Sequence, residues 1–259
     1  MDHPGARIDL SDVSLTYYDG AERLDVVRDL SIAVEPGQAI ALIGPSGCGK
    51  STILRMTSGV LSPTRGSLLV NGMPVDKPRQ ETALIPQDLG LFPWKTVLQN
   101  AMLGLIIRKV PKDEASARAR DALCQVGLEG FERSYPKELS GGMRQRLALA
   151  RALAMDADLL LMDEPLSAVD ALLRESLQDL LLELWKKRHH TQLLVTHSIE
   201  EAVYLGTRVL VFGNRPTSLK ADISNPDMGS REWRDSAEFA SKCHEVRCAL
   251  AEGIAEVVS

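Results

Sequence analysis

The chain is poor in cysteine. Its 259 residues hold four, Cys48, Cys124, Cys243 and Cys248, scattered and without a C-x-x-C pair. That spacing argues against a disulfide framework and against a cysteine metal site, and it suits a reducing cytoplasm. A basic excess is also missing: 30 Lys and Arg stand against 35 Asp and Glu, a net charge of −5. Nucleic-acid binders usually carry the opposite balance, so no nucleic-acid partner is expected. No apolar run approaches the ~18 residues of a spanning helix, and residues 1–7 lack the apolar core of a signal peptide. A soluble chain is expected, held at a membrane, if it works there, by a partner. Internal repeats and low-complexity segments are absent as well. What remains is ordinary globular composition, 44% hydrophobic and 25% charged, enough for one large domain or a domain with a lobe.

Against that plain background stands the stretch Gly44, Pro45, Ser46, Gly47, Cys48, Gly49, Lys50, Ser51, Thr52. It fits G-x-x-x-x-G-K-[ST], a loop that cradles phosphates. Residues 38–43 before it read as a buried strand, and residues 52–58 after it as the start of a helix. Glycines let the backbone wrap a polyphosphate with its N–H groups turned inward. The new helix presents its positive end to the same anion. Lys50 can reach the β- and γ-phosphates, and the Ser51 hydroxyl can hold Mg²⁺. Cys48 sits close to Lys50 and to a helix start, a setting that can favour a thiolate, although an inert small filler reads equally well.

The rest of the chain alternates. Residues 7–35 read as short strands interrupted at Asp19-Gly20 and Pro36-Gly37. Residues 66–72 read as a strand ending in an Asn-Gly turn, and 82–86 as a short strand leading to Gln87. Residues 96–130 then change to helical spacing, with a break at Pro111, and read as a helical insertion. Apolar strands return at 158–162, 192–196 and 208–212, separated by a helix with Leu173, Leu177, Leu180, Leu181 and Leu184 on one face and by another from about Ile199. Strands alternating with helices argue an α/β fold with a mostly parallel sheet. Beyond Asn214 the pattern weakens into a short tail with a polar helix around 231–255.

Two further elements carry chemistry. The apolar strand at 158–162 runs into Asp163 and Glu164, and charge at the end of a buried strand is costly unless it works. Asp163 can hold Mg²⁺ and Glu164 can polarise an attacking water. Ser140 is a good helix N-cap, and Gly141 and Gly142 open the helix behind it, a second terminus able to face an anion.

Leu139-Ser-Gly-Gly-Met-Arg-Gln-Arg146 resembles the signature of ABC transporter ATP-binding subunits, normally LSGGQ-like, and lies between the phosphate loop and the paired acids, in the family's order. The resemblance extends over nearly the whole chain. Gln87 looks like the family's Q-loop glutamine, which touches Mg²⁺. Residues 167–170 look like the D-loop ending in Asp170, with Val169 where Leu is usual. His197 looks like the switch histidine, and Tyr17, with Tyr18 beside it, like the aromatic that stacks on adenine. The resemblance implies one ABC ATPase domain over 7–213. It would have a P-loop NTPase core of RecA type, an N-terminal antiparallel β subdomain and a helical subdomain at about 88–152, with 214–259 as a short C-terminal extension.

It also implies a head-to-tail homodimer in the ATP state. Each ATP would lie between the loop of one copy and Ser140, Gly141 and Gly142 of the other, with Glu164 orienting water and His197 sensing the γ-phosphate. The cofactors implied are ATP and Mg²⁺. The partners implied are integral membrane permease subunits at the cytoplasmic face of the inner membrane and, indirectly, a periplasmic or extracellular solute-binding protein. The run from Gln87 to Asn100, Q-D-x-x-L-x-P-W-x-T-V-x-x-N, resembles importers of nitrate, sulfonate and taurine. An exporter or lipoprotein-release cassette, and a soluble non-transport ABC ATPase, are the alternatives.

Overall fold

The computed structural model describes residues 5–19, 22–167 and 169–255. Residues 1–4, part of the stretch read for a signal core, and Ala168 of the D-loop lie outside the described residues. In chain order the elements are β1 (Ile8–Asp19), β2 (Glu22–Val34), β3 (Ala39–Ile43), α1 (Lys50–Thr57), β4 (Arg65–Val70), β5 (Met73–Pro74) and β6 (Thr82–Ile85). The inserted helices follow as α2 (Val97–Ile107), α3 (Lys112–Gln125) and α4 (Gly141–Ala154). The chain continues with β7 (Leu159–Asp163), α5 (Ala171–Arg188), β8 (Thr191–Val195), α6 (Ile199–Leu205) and β9 (Arg208–Phe212). It closes with β10 (Leu219–Ser224), α7 (Arg231–Arg234) and α8 (Ala237–Ala255).

A six-stranded sheet in the order β10-β9-β3-β8-β7-β6 forms the centre. Its inner strands β3, β7 and β8 are buried at every residue. That explains why they read as continuous apolar runs: a parallel sheet is covered on both faces. Alternate residues feed two cores. Ile40, Leu42, Leu161 and Val195 meet Ile53, Leu54 and Met56 of α1 and the inner face of a four-stranded antiparallel sheet, β2-β1-β4-β5. Ala41, Ile43, Met162 and Leu194 face the other way, into a larger core shared by the inserted helices with α5, α6 and α8. The Asn71-Gly72 pair joins β4 to β5 with positive φ at both residues, the geometry its sequence favours.

The helical insertion has strong local signals. Thr96 and Gln99 form a reciprocal capping box at the start of α2, and Asp113 and Glu114 occupy the first turn of α3 after Pro111. The loop ahead of α2 is fixed by Asn100. This fully buried side chain accepts from Phe92 N at 2.9 Å and donates to the carbonyls of Phe92, Lys95 and Thr96. Arg151 of α4 holds the preceding segment by donating to the carbonyls of Leu89 and Gly90 at 2.6 and 2.5 Å.

The expected end of the core at 213 differs from the structure. The chain turns after Phe212 and adds β10 antiparallel to β9 at the edge of the same sheet. Buried Asn225 then ties that strand's end to Val203 O and Gly206 O, both at 2.7 Å. α8 packs on α6 and β9, contributing Phe239, Cys243 and Val246 to the larger core. An edge strand with polar Lys220, Asp222 and Ser224 between its apolar residues has no continuous apolar run to announce it. The helix expected around 231–255 is two, α7 and α8, separated at residues 235–236, where Ser236 Oγ accepts from Phe239 N.

Candidate functional site

The phosphate-loop residues leave the end of β3 and enter α1, as strand, loop and helix. Gly47 and Gly49 have φ of +74° and +120°, conformations that other residues rarely take. Lys50 is buried, and its Nζ rests on Gly44 O at 2.8 Å and Pro45 O at 2.9 Å rather than on a carboxylate. A buried ammonium whose partners are two carbonyls and the Cys48 Sγ, at 3.7 Å, is under-compensated, which favours an incoming anion. Cys48 is 2% exposed and packs in the core cluster behind the loop. Its burial suits the filler reading, and Lys50 Nζ, 3.7 Å from its Sγ, is the cation that the thiolate reading calls for.

The second wall comes from β7. Ser51 Oγ donates to Asp163 Oδ1 at 2.8 Å. Burial raises the Asp163 carboxyl above its usual range, while the Ser51 hydrogen bond pulls the other way. Glu164 follows with φ +48°, a left-handed conformation costing on the order of 1 kcal/mol. Its N–H donates to Val195 O at 2.9 Å, and its carbonyl accepts from Ser167 Oγ at 3.0 Å. The turn sets the Glu164 carboxylate between two side chains from separate loops. Gln87 Nε2 donates to Oε2 at 3.4 Å, and His197 Nδ1 lies 3.4 Å from the same oxygen.

A cleft of about 500 Å³ opens over these groups, lined by Tyr17, Val26, Gly47, Lys50, Gln87 and Glu164 among others. A second cleft of about 480 Å³ shares Ser51, Arg55 and Gln87 with it and reaches Asp163. The expected loop residues Ser46, Gly49 and Thr52 also line the first cleft. Of the adjacent tyrosines, Tyr17 lines it, and Tyr18 is 71% exposed. Ser51 and Asp163 supply a hydroxyl and a carboxylate side by side, and Gln87 an amide oxygen nearby. These hard oxygen donors fit Mg²⁺, which is usually held by one or two carboxylates plus substrate phosphates and water.

Ser140, Gly141 and Gly142 are not among the residues that line either cleft. Ser140 caps α4, its Oγ accepting from Met143 N at 3.3 Å. Asp170 caps α5, accepting from Leu173 N at 3.0 Å. The two helix starts adjoin: a Cβ on Gly142 would collide with the Leu173 side chain. Arg55 and Arg215 line the nucleotide cleft and were not anticipated. Arg55 follows Ser51 by four residues, one helical turn, and that spacing was available as a signal. Arg215 lies in a turn with no periodicity to mark it.

Residues 27–167 match the family model described as ABC transporter. The taurine import ATP-binding protein of Burkholderia pseudomallei (strain K96243) is 44% identical over 216 residues, 83% of this chain and 83% of that protein. Its counterpart in Pseudomonas aeruginosa (strain UCBPP-PA14) is 42% identical over 214 residues, covering 83% and 81%. An uncharacterized ABC transporter ATP-binding protein of Methanocaldococcus jannaschii is 40% identical over 238 residues, covering 92% and 89%. Among solved structures, a dimeric ATP-binding cassette in a post-hydrolysis state bound to ADP and Pi aligns with a TM-score of 0.74 at 28% identity, covering 84% of this chain and 98% of that one. The chain belongs to the ABC transporter family and is one of its ATP-binding, ATP-hydrolysing cassettes.

Proposed function

We propose that this chain powers import of a small sulfonate-type solute, taurine or a close chemical relative, through a membrane permease. The observation that carries the catalytic part is the Glu164 carboxylate held between Gln87 and His197, next to the Ser51–Asp163 pair. ATP sits over the phosphate loop with adenine against Tyr17, phosphates on the loop N–H groups, and Lys50 released from its carbonyls onto the β- and γ-phosphates. Glu164 accepts a proton from the attacking water. His197 and Gln87 orient the Glu164 carboxylate and contact the γ-phosphate region. Ser51, Asp163 and Gln87 would hold Mg²⁺, whose contribution when bound is to neutralise charge on the β- and γ-oxygens.

The site is completed by a second copy. Ser140, Gly141 and Gly142, absent from the cleft of their own chain, cover the γ-phosphate of the partner's ATP. Asp170 lies at the same seam. The dimeric solved cassette bound to ADP and Pi supports this assembly. Closure around ATP and opening after hydrolysis then supply the stroke.

The permease docks on the cytoplasmic side, at the loop held by Asn100 and Arg151. There Trp94 is 70% exposed and stacks edge-on against Phe92 at 5.4 Å. A groove that shares Arg151 with that loop, lined by Leu84, Leu103, Ile107 and Met155, offers the apolar seat that a short helix from a partner needs. No helix among the described residues is long and apolar enough to cross a membrane. The sulfonate-type solute rests on the names of the relatives and on the Gln87–Asn100 run. Uptake of labelled taurine in cells carrying the chain and its neighbouring permease tests the proposal. Uptake should vanish with Glu164→Gln. Efflux, or a chain that co-purifies with no polytopic partner, would sink the import reading.

A further inference from the structure

The connection between β9 and β10 lies against the back of the phosphate loop. Contact begins at Phe212, where a Cβ on Gly44 would come within 2.7 Å of Phe212 O. Arg215 then donates Nε and Nη2 to Gly47 O at 3.0 and 2.5 Å. Thr217, fully buried, donates its hydroxyl to Cys48 O. A Cβ on Gly49 would collide with that same hydroxyl. The connection is itself anchored. Gly213 N donates to Ser218 O at 3.0 Å, and Thr217 N donates to Val26 O at 2.8 Å. Val26 is a wall of the nucleotide cleft, as is Arg215.

A phosphate nest works when successive N–H groups face the anion and their carbonyls face away. In a trans peptide the C=O and the following N–H point in opposite directions. Holding Cys48 O at the back of the loop therefore turns the N–H of Gly49 toward the front, and holding Gly47 O fixes the neighbouring peptide. The Cys48 N–H meanwhile closes a turn onto Pro45 O at 3.3 Å. Carbonyls turned away from the ligand need donors of their own. Lys50 holds those of Gly44 and Pro45, but it must leave them to reach a phosphate. Arg215 and Thr217 have no such second task.

We propose that Arg215 and Thr217 are positioning residues of the nucleotide site, holding the Gly47 and Cys48 carbonyls so that the loop is set for a β-phosphate before nucleotide arrives. The assignment rests on the cleft being the ATP site. It gives the glycines at 44 and 49 a second reason, close approach to the β9–β10 connection. It also makes a segment outside the family motifs a determinant of nucleotide affinity.

The test is equilibrium titration of the full chain with ATP, ADP and AMP, alongside thermal melts, for wild type, Arg215→Ala, Arg215→Lys and Thr217→Val. Arg215 is exposed, so its truncation should leave the melting temperature within about 2 °C of wild type. Arg215→Ala should weaken ATP and ADP alike, about tenfold, a size set by one charge-assisted hydrogen bond. AMP, which lacks the β-phosphate, should change less than about twofold by the same accounting. Arg215→Lys should recover part of the loss, because an ammonium can donate to one carbonyl but lacks the fork. Thr217→Val, which removes the hydroxyl and keeps the shape, should weaken ATP and ADP and spare AMP, as Arg215→Ala does. Unchanged ATP and ADP affinity in Arg215→Ala would overturn the proposal. So would weakening confined to ATP, which would make the guanidinium a γ-phosphate contact. Equal weakening of all three nucleotides with a lowered melting temperature would reduce Arg215 to a stability residue and overturn it too. Wild-type protein that failed to bind ATP would instead overturn the reading of the cleft.

Discussion

Glu201 is 4% exposed at the first turn of α6, four residues after His197. Its Oε2 accepts from Thr196 Oγ1 at 2.7 Å, and its Oε1 is buried without a hydrogen-bond partner. Arg174 of α5, His197 and Glu164 are the charged or titratable groups whose fields reach it. Burial dominates and raises its pKa from 4.5 to about 7. The folded chain thus keeps a proton that the unfolded chain releases near 4.5. The stabilisation is complete below about pH 4.5, declines as pH rises, and is lost once pH passes about 7. At about 1.4 kcal/mol per pH unit, the gap between the two values amounts to about 3 kcal/mol. Glu201→Gln keeps an acceptor for Thr196 and cannot ionise. Urea unfolding of both proteins at pH 5, 6, 7 and 8 gives the difference directly. The variant should gain on wild type as pH rises, by about 2–3 kcal/mol between pH 5 and 8. Parallel curves for the two proteins would refute the argument that burial holds this acid protonated.

His190 supplies the opposite slope. It is 5% exposed, and burial lowers its pKa from 6.5 to about 4. Its contribution is therefore present above about pH 6.5 and lost as pH falls toward 4. His190→Gln should flatten the acid limb of the stability curve by about 2–3 kcal/mol between pH 6.5 and 4, read in the same urea titrations. Asn100→Ala removes the side chain that satisfies Phe92 N and the carbonyls of Phe92, Lys95 and Thr96. It should cost about 2–3 kcal/mol and speed hydrogen exchange at Phe92. Unchanged exchange there would mean that the loop holds its shape without the amide.

Much of the fold can be read from periodicity because its centre is extreme. β3, β7 and β8 are buried on both faces, so apolar residues fill them except at Thr191, Gln192 and Asp163. The phosphate loop and the paired acids are legible because phosphate chemistry prescribes residue types at fixed spacing. β10 was not legible, since an edge strand needs only one covered face and its alternation is short. Arg215 was hidden for a related reason. Its work depends on a turn that folds back onto Gly47 across 168 residues of chain, and no local pattern encodes that approach. The clamp on Thr196 by Glu201 was equally invisible, because an acid after a histidine reads as a solvated helix start until its burial is known. Ser140 illustrates the converse. Its cap was readable, but its role at a nucleotide follows from family resemblance, since it lies outside the cleft of its own chain.

In the proposed mechanism Glu164 acts on water at an ATP enclosed by two copies of this chain. Glu164→Gln, incubated with ATP and Mg²⁺ and followed by light scattering and phosphate release, tests it most directly. The variant should bind ATP with affinity close to wild type, release phosphate at least about 100-fold more slowly, as for loss of a general base, and accumulate as a stable dimer. A variant that stays monomeric with ATP, or that releases phosphate at the wild-type rate, would contradict it.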